Sequence, residues 1–282
     1  MKERLDVLLV QKGFFDNRTR AKAAIMEGRV YIGGAICDKA GTMVREDAAI
    51  ELRGDTCPYV GRGGLKLEKA LDFFNIDLRD CIAMDIGAST GGFTDCMLQH
   101  GARKVYSVDV GYGQLDYKLR CDDRVVNMEK TNFRYFSPDM IAEKLDFASV
   151  DVSFISLSMI LPRAAELLND RGYMICLIKP QFEAGREQVG KGGIVRDPAV
   201  HREVIRKAIG YAEKNGFVFC GLTWSPMTGA KGNIEYLMMI GTEGFAKEKD
   251  AEPPKEPEWD PLIDRVVKEA QDILGLSGSK TG

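Results

Sequence analysis

CIAMDIGASTGGFT, residues 81–94, is an apolar strand that runs straight into a glycine-rich turn. Glycines at such a turn let the backbone approach a ligand closely and begin a helix without a Cβ clash. The pattern is D-x-G-x-x-x-G-G, not G-x-G-x-x-G, and it lacks the Lys-Ser/Thr of a phosphate-binding loop. An acidic side chain inside the turn repels a pyrophosphate but suits a cationic ammonium group such as that of S-adenosyl-L-methionine. The expected cofactor-binding residues are therefore Asp85, Gly87, Ala88, Ser89, Thr90, Gly91, Gly92 and Phe93. A purely structural turn is the competing reading.

Working outward, the next strand ends in VYSVDVG, and its Asp109 lies 22 residues after Gly87. In a Rossmann-like fold an acidic residue at this place receives the ribose hydroxyls of an adenosine cofactor. A third strand ends near Met128, and Asn132 is the candidate reader of the adenine edge, because an amide both donates and accepts. Seven strands are expected in all: Ile82–Ile86, Lys104–Val110, Arg124–Met128, Phe147–Val152, Gly172–Ile178, Phe217–Thr223 and Ile234–Ile240. Most are separated by helix-length segments and are apolar throughout, as in a buried parallel sheet. The last two are joined by only about ten residues, too few for a parallel crossover, so they should pair antiparallel. The fold class is thus α/β, a Rossmann-like seven-stranded sheet of the methyltransferase type with one antiparallel strand.

Four charged residues fall where a solvated surface would not place them. Lys66 follows GRGGL at the start of a helix, Asp151 closes a strand in SVDVSF, Lys179 ends a strand in CLIKPQFE, and Glu235 begins the last strand in GNIEYL. Two lysines and two carboxylates balance as a buried network, whereas one buried charge alone is costly. A structural ion pair with two surface residues is the plainer alternative. The chemistry that suits the set is removal of a proton from an alcohol while it attacks a sulfonium methyl. A lysine acts as base only in its neutral form, which burial and a second cation nearby favour. Lys179 is the expected base with Lys66 as its neighbour, Asp151 orients Lys179, and Glu235 holds Lys66 or the ribose. The scheme requires no metal.

The 282 residues divide into three expected regions: a small α+β domain at 1–59, the α/β domain at 60–241, and an acidic, Pro-rich linker with an amphipathic helix at 242–282. Ten Asp/Glu against six Lys/Arg give the last region a net charge of −4, so the formal −3 of the whole chain leaves about +1 for the rest. Leu262, Val266, Val267, Ala270, Ile273 and Leu274 follow helical spacing there. Seven cysteines stand singly without a C-x-x-C pair, and the two histidines, His100 and His201, sit in no motif. No apolar run approaches the roughly 20 residues that span a bilayer, and MKERLDVLLVQKG is not a signal peptide. The expected localisation is cytoplasmic, with no stable membrane insertion.

The runs VGRGGLKLEKAL, MDIGASTGGFTDCMLQHGARKVYSVDVGYGQL, DVSFISL, IKPQFEAGREQVGKGGIVRDP and KGNIEYL resemble the TlyA-type, hemolysin-related family over roughly residues 1–241. The resemblance implies an FtsJ-like catalytic domain that methylates ribose 2′-hydroxyls of ribosomal RNA, on cytidine. It places a Lys-Asp-Lys-Glu catalytic set on Lys66, Asp151, Lys179 and Glu235. It also implies a partner, RNA or the ribosomal subunits, and an N-terminal RNA-binding domain of the ribosomal-protein type. That domain's signature is carried by Arg4-Leu5-Asp6, by Arg18, Ala21, Ile25, Gly28 and Val30, and by Lys39-x-Gly41. Gly33 departs from the Asn usual in that turn, and Gly61 from Ser.

Candidate RNA contacts are Arg4, Arg18, Arg20, Lys22, Arg29 and Arg62, with Lys191 and Arg196 in the loop GKGGIVRD. A plain solvated helix face or surface loop would read the same way. Three rivals remain in view: a nicotinamide oxidoreductase, which lacks its glycine fingerprint here; a membrane-active hemolysin-like protein, resting on the tail helix; and a non-catalytic RNA-binding protein.

Overall fold

The computed structural model describes residues 2–26, 28–52, 57–248 and 259–275. The expected linker AEPPKEPE at 251–258 lies outside the described residues. The chain divides into two compact units after Arg62.

The first unit contains β1 (Lys2–Arg4), α1 (Leu5–Gln11), α2 (Arg18–Met26), β2 (Val30–Ile32), β3 (Ala35–Ile36), β4 (Met43–Arg45) and β5 (Ile50–Leu52). α1 and α2 pack together, and Leu5, Leu8, Leu9, Ala21, Ala24 and Ile25 form a core with Val30 and Val44. Ala21, Ala24 and Ile25 thus mark the inward face of α2. β2 lies between β3 and β5, with both pairings antiparallel. Ile32 faces Ala35 across a two-residue turn whose glycines, Gly33 and Gly34, have φ of 57° and 83°. Positive φ at both positions is what a right-twisted hairpin demands, so Gly33 supports the turn in place of Asn. The signature residues also meet: the backbone N–H groups of Leu5 and Asp6 donate to Thr42 and Ala40, and a Cβ on Gly41 would lie 3.4 Å from the Arg4 guanidinium.

The second unit begins with α3 (Gly63–Phe74), followed by β6 (Ile82–Ile86), α4 (Gly92–Gln99), β7 (Lys104–Val108), α5 (Tyr117–Arg120), β8 (Val125–Met128), β9 (Leu145–Val150), α6 (Leu161–Leu167), β10 (Leu168–Ile178), α7 (Pro180–Glu183), α8 (Pro198–Lys214), β11 (Val218–Trp224), β12 (Tyr236–Gly241), α9 (Glu243–Glu248) and α10 (Trp259–Ala270). The seven strands form one sheet in the order β11-β12-β10-β9-β6-β7-β8. β12 runs antiparallel to both of its neighbours, and the remaining pairings are parallel. Sequence and structure agree on all seven strands. The largest shift is at β10, which begins four residues before Gly172, with an irregularity in its ladder between Leu168 and Tyr173.

α10 lies against α8 and β11. Trp259, Ile263, Val266, Val267 and Ala270 are buried there, and Ile273 is exposed. Arg206 and Arg202 of α8 hold Asp260, at 2.7 Å, and Asp264. The apolar face expected of the tail helix is therefore consumed by the protein's own core and is not offered to a membrane. No helix among the described residues is long and apolar enough to cross one.

Candidate active site

The sheet register lines up one row of strand ends. Met128 faces Val108, Val108 faces Ile86, and Ile86 faces Val150. Across the antiparallel ladder Ile178 faces Tyr236, so the next residues outward, Lys179 and Glu235, stand opposite each other. Gly87, Asp109, Asp151, Lys179 and Glu235 thus share one edge of the sheet, where open α/β folds bind ligands.

Two ion pairs are built there. Lys179 reaches Asp151 at 2.5 Å and also donates to the Ser153 hydroxyl at 3.1 Å. Lys66, brought in on α3, reaches Glu235 at 2.7 Å; Lys66 is 12% exposed and Glu235 2%. The Asp151–Lys179 partnership is the one expected from the sequence. For Lys66 the structure shows the carboxylate of Glu235 as partner. Pro180 at the first turn of α7 stops the strand directly after Lys179. Glu235 has room because residue 229 is Gly: a Cβ there would fall 1.8 Å from a Glu235 carboxylate oxygen.

Neither Ser153 nor Gly229 was singled out from the sequence, since a serine in a loop and a glycine in a turn carry no pattern of their own. Phe154 was also missed. It is 90% exposed, has φ of 65°, and lies 5.0 Å from Phe182 between ring centroids. A left-handed backbone at an aromatic residue is strained, and such strain collects at functional sites.

The glycine-rich turn divides into surface and support. Ser89 and Thr90 are exposed and Gly87 is half-buried, whereas Ala88, Gly91, Gly92 and Phe93 are buried. Phe93 packs toward α3, where a Cβ on Gly63 would lie 3.4 Å from its ring. Asp85 does not line the surface of the turn. Its Oδ2 accepts from the Thr94 backbone N–H at 2.9 Å and from the Thr94 hydroxyl at 2.8 Å, and that hydroxyl also meets Ser107 at 2.8 Å. Its Oδ1 is buried and has no hydrogen-bond partner among the described residues. Burial raises the Asp85 carboxyl to about 7, against the opposing hydrogen bonds from Thr94.

Asp109 accepts from Ser89 N–H at 2.8 Å through Oδ2 and from Gly111 N–H at 2.6 Å through Oδ1. It braces the turn and still has lone pairs for hydroxyl donors. Asn132 spends its side-chain oxygen on Arg134, whose backbone N–H and Nε lie at 3.2 and 3.3 Å. Its amide N–H group is what remains to present to a ligand.

The cationic candidates separate as well. In the first unit the carboxylate of Asp6 receives Arg4 at 3.0 Å and Arg18 at 2.8 Å. Burial pushes the Asp6 carboxyl up, but the two arginines outweigh it and hold it at about 2. Arg20 pairs with Asp16 at 2.8 Å. Lys22 and Arg62 are exposed, and Arg29 is half-buried. In the second unit Lys191 and Arg196 are exposed on a loop closed by Gly190 N–H donating to Ile194 O at 3.0 Å. His201 is buried between Tyr236 and Val195, and burial lowers its pKa.

Residues 59–242 match the FtsJ-like methyltransferase family, and residues 3–50 match the S4 domain. The chain is 50% identical over 274 residues to the protein YqxC of Bacillus subtilis, covering 97% of this chain and 95% of that one. It is 39% identical over 241 residues to the 16S/23S rRNA (cytidine-2′-O)-methyltransferase TlyA of Mycobacterium tuberculosis, covering 85% and 90% of the two chains. A solved structure from Streptococcus thermophilus that carries the hemolysin name superimposes with a TM-score of 0.77 at 45% identity, over 99% of each chain.

Proposed function

The chain belongs to the FtsJ-like methyltransferase family, and from that premise we propose that it methylates ribose 2′-hydroxyls of RNA, using S-adenosyl-L-methionine. Ribosomal RNA is the expected substrate and cytidine the expected nucleotide, as in the Mycobacterium tuberculosis relative. The observation that carries this reading is the double ion pair Lys179–Asp151 and Lys66–Glu235, set at the strand ends beside the glycine-rich turn.

S-adenosyl-L-methionine supplies an electrophilic methyl on a sulfonium. The residues present fit it. Asp85 has a buried oxygen lacking a donor, which suits a cationic amino acid moiety nearby. Asp109 retains acceptor capacity for ribose hydroxyls, and Asn132 offers an amide N–H group for adenine. Gly87, Ser89 and Thr90 give the turn its open surface. Lys179 takes the proton from the attacking 2′-hydroxyl when its amine is neutral, and the ammonium so formed is the species held by Asp151 and Ser153. Lys66 and Glu235 position the ribose. Phe154 offers an exposed ring on which an unpaired base can stack. The S4 domain, matched over residues 3–50, supplies the RNA-binding module, with Arg4, Arg18, Arg20, Lys22 and Arg29 as its candidate contacts and Arg62 following it in the chain. The protein is assigned to the cytoplasm, where its substrate is found.

Transfer of labelled methyl from S-adenosyl-L-methionine to purified ribosomal subunits lacking the modification, followed by mapping, tests the proposal. Label on a ribose hydroxyl is the expected result. Label on a base would keep the cofactor and remove the roles given to Lys179 and its partners.

A further inference from the structure

Lys191, Arg196 and Lys231 are exposed, and none of them pairs with a carboxylate among the described residues. They gather around one tight turn. A Cβ on Gly190 would lie 3.7 Å from the Arg196 guanidinium, and a Cβ on Gly193 would lie 3.7 Å from the Lys231 ammonium. The turn is closed twice, by Gly190 N–H to Ile194 O and by Gly193 N–H to Gly190 O, each at 3.0 Å.

What ties this turn to the rest of the site is Asn233, which is 2% exposed. Its Oδ1 accepts from Val195 N–H at 3.0 Å, and its Nδ2 donates to Gly193 O at 2.9 Å. Asn233 O in turn accepts from Gly229 N–H at 2.7 Å. The carbonyl of Val195 is gripped from the other side by His201 Nε2 at 3.0 Å, and His201 Nδ1 meets the Tyr236 hydroxyl at 2.8 Å. A carbonyl only accepts, so Nε2 carries the proton and Nδ1 accepts from Tyr236. The N–H of Val195 is therefore bound by Asn233 directly and its carbonyl by His201, which Tyr236 holds, so that Asn233 and Tyr236 stand on either side of Glu235. Asn233 stands two residues before it, and Tyr236 one residue after.

We infer that the 190–194 turn, Arg196 and Lys231 form a cationic cradle for the phosphates flanking the target ribose, and that Asn233 and His201 act as a clasp holding this cradle at a fixed offset from Glu235. The inference rests on the RNA-ribose reading above. Three uncompensated cations on a glycine-bearing turn suit a polyanion. Contacts of this kind set register without reading bases. A rigid link from them to Glu235 turns register on the backbone into placement of one ribose at Lys179. Asn233 and His201 are positioning residues, since they reach substrate only through the turn and Glu235.

The test varies ribosomal subunits and S-adenosyl-L-methionine separately in the methyl-transfer assay and measures subunit binding across a salt series. The triple variant K191A/R196A/K231A is expected to raise the subunit KM tenfold or more and to leave the cofactor KM within twofold. It should flatten the slope of log affinity against log salt by about 2, for three contacts at roughly 0.7 each on single strands. Asn233→Asp keeps an acceptor for Val195 but loses the donor to Gly193. It should cut kcat at least tenfold, or move the methyl to a neighbouring ribose, with subunit affinity within threefold. Tyr236→Phe removes one oxygen without changing shape, and it tests the same clasp if Asn233→Asp fails to fold. An unchanged subunit KM and salt slope in the triple variant overturns the cradle. Wild-type kcat and wild-type target position in both folded clasp variants overturn the link to Glu235. Label on a base with the wild-type protein defeats the underlying ribose reading instead, and the salt slope still decides the cradle.

Discussion

The carbonyl oxygen of Asp151 fills the space where a side chain on Gly87 would begin: a Cβ there would lie 2.5 Å from that oxygen, and the Gly87 φ is 93°. The glycine-rich turn and the strand end bearing Asp151 are therefore packed against each other through a missing methyl. Gly87→Ala is expected to destabilise the fold by about 1–3 kcal/mol through backbone strain and to displace Asp151. The cofactor KM should rise and kcat should fall together. Isothermal titration with S-adenosyl-L-methionine and steady-state kinetics check this; a change in stability alone would show that the contact is only structural.

Lys179→Ala should lower kcat by about 100- to 10,000-fold, the range of a general base. Cofactor binding should survive, because Gly87, Asp109 and Asn132 follow other strands, β6, β7 and β8. Retained turnover removes Lys179 from the chemistry.

Glu235→Ala removes the carboxylate that accepts from Lys66 in a site that is nearly dry. Breaking a buried pair in this way costs about 3–5 kcal/mol, and the residual exposure of Lys66 puts the expected loss at the lower end. Glu235→Gln keeps an acceptor of the same shape. It should lose less stability, measured by urea unfolding, while still losing activity. Equal stability losses in the two variants would mean that the charge of Glu235 does not matter to Lys66.

Asp85 gives the ligand-free protein a signature in pH. Its carboxyl is raised from 3.8 to about 7 by burial, so between those values the folded chain holds a proton that the unfolded chain has released. This contribution is fully present below about 3.8 and is lost as pH rises through about 7. Urea midpoints of the ligand-free protein at pH 5 and pH 8 should show the fall, and Asp85→Asn should remove that part of the slope. A cationic cofactor favours the ionised carboxylate, so its affinity should strengthen as pH rises toward 7.

Trp259 anchors α10 in the core beside Phe219, with ring centroids 6.2 Å apart. Trp259→Ala should cost about 3–5 kcal/mol, as large-to-small core changes do. A cost near zero would mean that α10 is loosely held in solution.

Much of this architecture was legible because strand ends and charges announce themselves. A charged residue that bounds an apolar run is a strong signal: Asp151 and Lys179 close such runs and Glu235 opens one. The antiparallel pairing of β11 and β12 followed from the shortness of their connection. What stayed hidden were partners fixed only by tertiary approach. Asp6 lies within a recognisable Arg-Leu-Asp signature, yet nothing in the spacing shows that it is the carboxylate shared by Arg4 and Arg18. The inward orientation of Asp85 depends on Thr94 and Ser107, two hydroxyls without periodicity. Asn233 carries no signal in the sequence, because a side chain that ties two loops together leaves no trace in either loop alone.

Among the described residues β12 is the last strand in sequence, yet it lies inside the sheet, between β10 and β11. During synthesis the slot for it must wait, with β10 already made and its edge unpaired. Glu235, which accepts from Lys66 169 residues earlier in the chain, arrives only when that slot is filled. A chain cut short before this insertion holds the cofactor turn, Asp151 and Lys179 but not a complete set. Completion of the four-residue set thus coincides with closure of the sheet.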